Sequence, residues 1–245
     1  MNPRILFATT RRVLQQLRHD HRTVALLLLA PTLIMSLLAW IFSATPGVFD
    51  RWGATLLGIF PLIIMFLLTS VATLRERSGG TLERLLALPI SKVDFLLGYG
   101  IAFALAATVQ ALFVSAVAFG LLGLTVTGPV WAVVLVAVLV AVLGSTLGLF
   151  VSAFANSEFQ AVQFMPALLI PQLMLCGLFG ARELLPAPLY ALSNVLPMSY
   201  AVDAMKQLIA LPTIDASFWR DIAVVGCFIV AALLSGAATL RRRTP

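Results

Sequence analysis

Charge is scarce in this sequence: Asp, Glu, Lys and Arg together make up 11% of its 245 residues, against about a quarter in a soluble domain. So little charge excludes a water-soluble fold, because such a surface cannot be solvated by so few ionic groups. Cysteine is almost missing, with Cys176 and Cys227 alone, each inside an apolar stretch. A disulfide framework is thereby excluded, and buried thiols are expected. The only two histidines, His19 and His21, flank Asp20 in a basic segment, and two imidazoles without further ligands do not make a metal site. No His lies where it could activate a serine within an apolar stretch, so no catalytic residue is expected. The phosphate loop G-x-x-x-x-G-K-[ST] occurs nowhere, so the chain brings no ATP site of that kind.

What the chain has is hydrocarbon. Hydrophobic residues make up 61% of it and the mean hydropathy is +1.04. A crossing helix needs roughly 20 predominantly apolar residues. Runs of that kind recur at residues 24–42, 54–74, 95–122, 130–154, 160–180 and 222–240, which predicts an all-α membrane protein in which one domain, 1–245, carries six transmembrane helices. Their middles hold no Asp, Glu, Lys or Arg, which argues against a transporter driven by proton or sodium binding at the midplane. No ring of charge or carbonyl-rich filter suggests a channel. Neutral polar residues remain there: Thr69, Thr108, Gln110, Ser115, Ser145, Thr146, Gln163 and Gln172. Interhelical hydrogen bonding is the preferred reading of these, with Gln110, Gln163 and Gln172 as candidates for a substrate pathway.

The net charge of +6 lies in clusters at the ends of spans, and no nucleic-acid partner is expected from it. Arg4, Arg11, Arg12, Arg18 and Arg22 precede the first span, Arg75, Arg77, Arg84 and Lys92 separate the second from the third, and Arg241, Arg242 and Arg243 follow the last. These are 12 of the 16 basic residues, so all three clusters and both termini are expected on the cytoplasmic side. Residues 4–22 place Leu6, Val13, Leu14 and Leu17 opposite Arg4, Arg11, Arg18 and Arg22 at helical spacing, which predicts an amphipathic interfacial helix with its arginines toward headgroups. Residues 43–53 read as a short polar turn. Gly144 and Gly148 form a G-x-x-x-G pair, read as close packing within the chain in preference to contact with another subunit. Residues 184–212 are cut by Pro186, Pro188, Pro197 and Pro212 into pieces too short to span, so short helices are expected there, interfacial or re-entrant on the outer side. Arg182 and Glu183 mark the exit from hydrocarbon just before them.

The stretch 75–94 carries the most information. A charged exit, Gly79 and Gly80, an amphipathic piece with Leu82, Leu85 and Leu86 beside Glu83 and Arg84, and a stop at Pro89 are followed by Ser91 and Asp94 at capping-box spacing. Glu76, Gly80, Thr81, Leu82, Glu83, Leu85, Leu86 and Pro89 resemble the pattern E-R-x-x-G-T-L-E-x-L-L-x-x-P of the permease subunits of the second class of ABC-type exporters, with daunorubicin-type efflux permeases the nearest likeness. Pro197, Tyr200, Asp203 and Lys206 are similar to that family's P-x-x-Y-x-x-[ED]-x-x-[RK] segment, with Lys where Arg is commoner. The resemblance implies that residues 79–89 form a coupling helix on a separate ATPase chain that binds ATP and Mg, and that the Pro197 segment closes the outer mouth. It also implies pairing with a second copy or a related permease, export of a hydrophobic or amphiphilic drug, lipid or glycolipid, and residence in a prokaryotic plasma membrane. A membrane-anchored assembly or regulatory subunit that moves nothing is the alternative.

Overall fold

The computed structural model describes residues 3–78 and 92–239. Among them are nine α-helices and no strand: α1 Pro3–His19, α2 His21–Ile41, α3 Pro46–Ser78, α4 Lys92–Gly120, α5 Val130–Ser152, α6 Glu158–Leu175, α7 Ala187–Ser193, α8 Pro197–Ala210 and α9 Ala216–Thr239, with a 3-10 turn at Arg182–Leu184. Five of these, α2, α3, α4, α5 and α9, are long and apolar enough to cross a membrane. The expected crossing at 160–180 is shorter than its hydrophobic run, because α6 is 18 residues long and holds three glutamines and two prolines. It stops where Cys176 caps it and Gly177 takes φ +84°, a left-handed conformation that glycine adopts without steric penalty.

Helix starts follow local chemistry. The predicted helix over 4–22 breaks at Asp20, whose carboxylate accepts from Thr23 N–H at 3.1 Å and from the Thr23 hydroxyl at 2.5 Å, so Asp20 is the N-cap of α2. The polar turn expected at 43–53 is instead the first two turns of α3. Pro46 is tolerated at a helix start, and Phe49 is buried beside Gly53 and Leu124. Asp50 then accepts from Thr125 N–H at 2.8 Å and from the Thr125 hydroxyl at 2.6 Å, pinning the α4–α5 loop to the start of α3.

The centre of the molecule is the α3–α5 pair. A Cβ added at Gly144 would lie 2.3 Å from Leu62 O, and one at Gly148 would lie 2.6 Å from Phe66 O. The two backbones therefore touch through the G-x-x-x-G pair, as the intrachain reading requires. Around this pair lie α2, α4, α6, α8 and α9. Only 17% of α2 and 28% of α9 is buried within the chain, and their outward faces are apolar, with Leu33, Leu37, Trp40, Val230 and Leu234 exposed.

The helices alternate in direction. Thr9 and Leu233 pack on Gly98 and Gly100 at one end of the bundle, where Arg12 and Glu76 also meet. Trp131 and Trp219 pair at 6.4 Å at the end where Asp50 and Thr125 meet. The arginines of α1 and Arg75 thus gather at the same end as the last turns of α9. Arg241, Arg242 and Arg243 lie outside the described residues.

Candidate functional site

Two charged clusters, one at each end of the bundle, organise the residues singled out by sequence. The first surrounds the end of α3. Arg12 of α1 donates to Glu76 Oε2 at 3.0 Å and to the Tyr99 hydroxyl of α4, with its guanidinium carbon 5.7 Å from the centre of the Tyr99 ring. One side chain thereby joins α1, α3 and α4. The Thr10 hydroxyl donates to Gly98 O at 3.1 Å, and a Cβ on Gly98 would sit 2.7 Å from Thr9 Cβ, so α1 lies directly on the start of α4. Arg12, which is not one of the four arginines expected on the headgroup face, turns inward because Glu76 and Tyr99 offer it partners. Arg75 pairs with Glu158 of α6 at 2.8 Å. Both of those side chains are more than half exposed, and such a pair contributes about 0–1 kcal/mol. Its meaning is positional: it sets α6 beside α3.

Of the coupling residues, Glu76 is thus located. Gly79, Gly80, Thr81, Leu82, Glu83, Leu85, Leu86 and Pro89 lie outside the described residues, as do Ser91 and the side chain of Asp94. The segment they form is bracketed by α3 and α4, both held to α1.

The second cluster is built on α8. Pro197 starts that helix, and the motif residues at intervals of three reach back onto the segment that precedes it. The Tyr200 hydroxyl donates to Asn194 O at 2.7 Å, Asp203 pairs with Arg182 at 2.8 Å, and Lys206 donates to Gly177 O. Lys206 serves a single backbone carbonyl, a point contact for which a guanidinium fork is unnecessary. Arg182 is 8% exposed, donates also to Asn194 Oδ1, and lies 5.9 Å from the ring centres of both Tyr190 and Tyr200. By sequence Arg182 marks, with Glu183, the exit from hydrocarbon. In the structure it is the buried hub, because the turn after Gly177 folds back under α8. The only sequence signal was an acidic residue 21 positions on, Asp203, in α8. Burial pushes the Asp203 carboxyl above its ordinary value, with Arg182 opposing that shift. Asp221 was also missed: it is 1% exposed near the start of α9 and accepts from Arg220 at 2.9 Å.

The helices hold α8 closely. Gly58 of α3 faces Met205, and Gly128 N–H donates to Leu208 O at 2.7 Å. One flank of α8 is buried, including Met198, Val202, Met205 and Leu208.

The three glutamines proposed as a pathway do not converge. Gln110, fully buried, donates to Leu27 O at 3.0 Å and so ties α4 to α2. Gln172 bonds within its own helix to Leu168 O at 3.3 Å, and Gln163 is exposed on α6. The expected interhelical bonding holds for Gln110 but not for Thr108, Ser145 and Thr146, whose hydroxyls donate to carbonyls three or four residues back in the same helix. Cys176 and Cys227 are both free thiols, Cys176 buried and Cys227 exposed. Among the described residues no group of three or more His, Cys, Asp and Glu side chains could hold a metal ion.

Residues 4–209 match the ABC-2 type transporter family. The chain belongs to that family. It is 26% identical over 151 residues to the probable multidrug ABC transporter permease YbhS of Escherichia coli strain K12, covering 61% of this chain and 40% of that protein. It is also 25% identical over 165 residues to the probable multidrug ABC transporter permease YbhR of the same strain, covering 66% of this chain and 45% of that one. The aligned part spans less than half the length of these curated relatives. The ABC-2 match runs through the Arg12–Glu76–Tyr99 junction, the bracketed segment and most of α8, so both clusters lie within the region that matches the family.

Proposed function

We propose that this ABC-2 chain is the transmembrane half of an ATP-driven exporter that moves a hydrophobic or amphiphilic compound, a drug, lipid or glycolipid, out of the cytoplasm or the inner leaflet. In this reading ATP and Mg are bound by separate ATPase subunits, which dock on residues 79–89. Two permease chains, identical or related, make up the membrane part. The chain resides in a prokaryotic plasma membrane with both termini cytoplasmic. It crosses six times, with α6 as the sixth crossing: its 18 residues reach about 27 Å at 1.5 Å per residue, close to the hydrocarbon thickness. The names of YbhS and YbhR support the multidrug class of substrate.

The observation that carries this reading is the junction of Arg12, Glu76 and Tyr99. A docking segment can drive a membrane domain only if its two ends are attached to elements that move with it. Residues 79–91 leave α3 two turns or less after a three-helix ion pair and enter α4 just before the contacts of Gly98 with α1. At the opposite end, α7 and α8 around Arg182 are read as the outer hairpin that closes the exit. Of the three glutamines, Gln163 alone is exposed, and it is the one left to meet a substrate.

The test is co-purification of the cognate ATPase together with efflux, normalised to the amount of permease in the membrane. Glu83→Arg and Leu85→Asp are expected to lose ATPase association. Glu76→Gln is expected to keep association but to lower efflux. Full association and full efflux in all three variants would refute the coupling role.

A further inference from the structure

A cavity of about 820 Å³ opens at the end of the bundle where Trp131 and Trp219 pair. The first turns of α3, the α4–α5 loop, the turn after α6 and the end of α8 enclose it. Thr55, 5% exposed, stands at its floor, and Phe179, 66% exposed, stands at its mouth. The candidate span of α3, Gly47–Glu76, is 30 residues long, about 45 Å at 1.5 Å per residue, which matches a bilayer with both of its headgroup layers. Arg51 lies one turn from the start of that span, about 6 Å, and therefore at the headgroup level of the leaflet at this end.

Three charged side chains line the cavity: Asp50, Arg51 and Lys206. Both oxygens of Asp50 are engaged, one by the N–H and one by the hydroxyl of Thr125. Lys206 gives one N–H to Gly177 O, and an ammonium carries three. Asp203, one turn before Lys206, is held by Arg182. Arg51 is exposed, and its guanidinium makes no hydrogen bond or ion pair among the described residues. The lining thus sets two cations against one carboxylate, and one of the cations has no partner. Trp52, Leu178 and Ile209 supply apolar surface beside them. A choline head would bring its quaternary ammonium next to Arg51 and Lys206, with the nearest carboxylate already committed to Thr125.

We propose that this cavity binds the anionic phosphate head of an amphiphile, a phospholipid without a compensating ammonium, with the phosphate at Arg51 and Lys206. The site does not depend on export, since such a head is taken from the adjoining leaflet whether or not the chain transports anything.

The experiment introduces Thr127→Cys, at an exposed lining position, into the full chain carrying Cys227→Ser. Alkylation by neutral iodoacetamide is timed in nanodiscs of dioleoyl phosphatidylcholine with or without dioleoyl phosphatidylglycerol. Thr213→Cys, exposed between α8 and α9 and outside the cavity, reports any slowing caused by the anionic surface alone. Phosphatidylglycerol should slow Thr127→Cys about fivefold more than Thr213→Cys, the worth of one exposed ion pair. Arg51→Gln should abolish that difference, and Arg51→Lys, which keeps the charge, should retain most of it. Gly180→Phe, at a position where an added Cβ meets nothing within 4 Å, should abolish it by filling the mouth with Arg51 still in place. Glycerophosphoglycerol, the same head without tails, distinguishes the source: slowing by it in phosphatidylcholine discs means that the free head is bound, and no slowing means that the head is bound as part of its lipid. Equal slowing at the two cysteine positions, or a difference that survives Arg51→Gln, overturns the proposal.

Discussion

Replacing Gly144 by Ala separates the α3–α5 contact from every other feature of the fold. The new Cβ would stand 2.3 Å from Leu62 O and 2.8 Å from Leu62 Cα. Both are backbone atoms of a helix interior, so no side chain can turn aside, and α5 must back away by about 1 Å to restore ordinary van der Waals contact. Overpacking of this kind costs about 1–3 kcal/mol, while Gly→Ala within a helix returns at most about 1 kcal/mol through propensity. The net effect is a loss of up to about 2 kcal/mol. Gly148→Ala meets Phe66 O at 2.6 Å and should behave in the same way but more mildly. Because one displacement of α5 relieves both clashes, the double variant should lose less than the sum of the single ones. Gly226 on α9 has nothing within 4 Å of an added Cβ, so Gly226→Ala is the control that takes the propensity gain alone. The assay is thermal unfolding in detergent followed by circular dichroism, with all four variants in one micelle. A melting temperature for Gly144→Ala equal to or above that of Gly226→Ala would refute the argument that these two backbones are in contact.

Removing one partner of the Arg182–Asp203 pair strands a buried charge, so Asp203→Ala should destabilise by about 3–5 kcal/mol; Arg182→Met added to it should recover part of that loss, and a double-mutant cycle of unfolding free energies checks this. Burial raises the Asp203 pKa above 3.8, so the folded chain binds more protons than the unfolded one just above that value. The stability this contributes is fully present below pH 3.8 and is lost as the pH rises through the raised value, and Asp203→Asn should flatten that segment of the melting-temperature profile. Single cysteines placed at Arg12 and Ser78 should react with a membrane-impermeant thiol reagent from the cytoplasmic side only and one at Pro186 from outside only, in a background lacking the exposed Cys227; labelling of Ser78 and Pro186 from the same face would overturn the six-crossing topology. Thr10→Val removes the bond to Gly98 O, worth about 1 kcal/mol, and should increase hydrogen exchange in α1 without altering that of α5.

The membrane class, the helical architecture and the glycine contact were legible because each rests on a property that composition or spacing determines alone. Hydrophobic length marks a crossing, and two small residues four apart mark a close approach. Reading failed where one residue type serves two environments. Asp50 and Gly53 have turn chemistry, yet they sit inside α3, since Phe49 just before them is buried and Thr125 supplies the partner that Asp50 requires. Arg12 and Arg182 look like solvated charges in sequence, and only the folded chain reveals that Glu76, Tyr99 and Asp203 await them from 64, 87 and 21 residues away. Gln110 resembled a pathway residue because a buried amide and a substrate ligand share one signature. In the structure its amide N–H is spent on Leu27 O, tying α4 to α2.

The two charged clusters stand at opposite ends of a pair of helices that cannot slide on each other. Sliding α5 along α3 by one residue, about 1.5 Å, would carry Gly144 and Gly148 off Leu62 O and Phe66 O and bring bulkier neighbours against the backbone. Tilting the pair as one body keeps the contact intact. Residues 79–91 attach to the end of α3 beside Glu76, and α8 rests on the far end of the same pair through Met205 at Gly58 and Leu208 O at Gly128 N–H. In an exporter of the proposed kind, force applied at the basic end would therefore reach α8 as a change of angle, and the lateral position of Arg182 beneath α8 would change with it. This route is one of contiguous packed elements, and it acquires the status of coupling only if a perturbation at one end shifts an equilibrium at the other. The glycine variants supply that test. If Gly144→Ala loosens the pair, the efflux lost per ATP hydrolysed should exceed what the reduced amount of folded permease accounts for, whereas a chain whose ends act independently would lose efflux and folded protein in equal proportion.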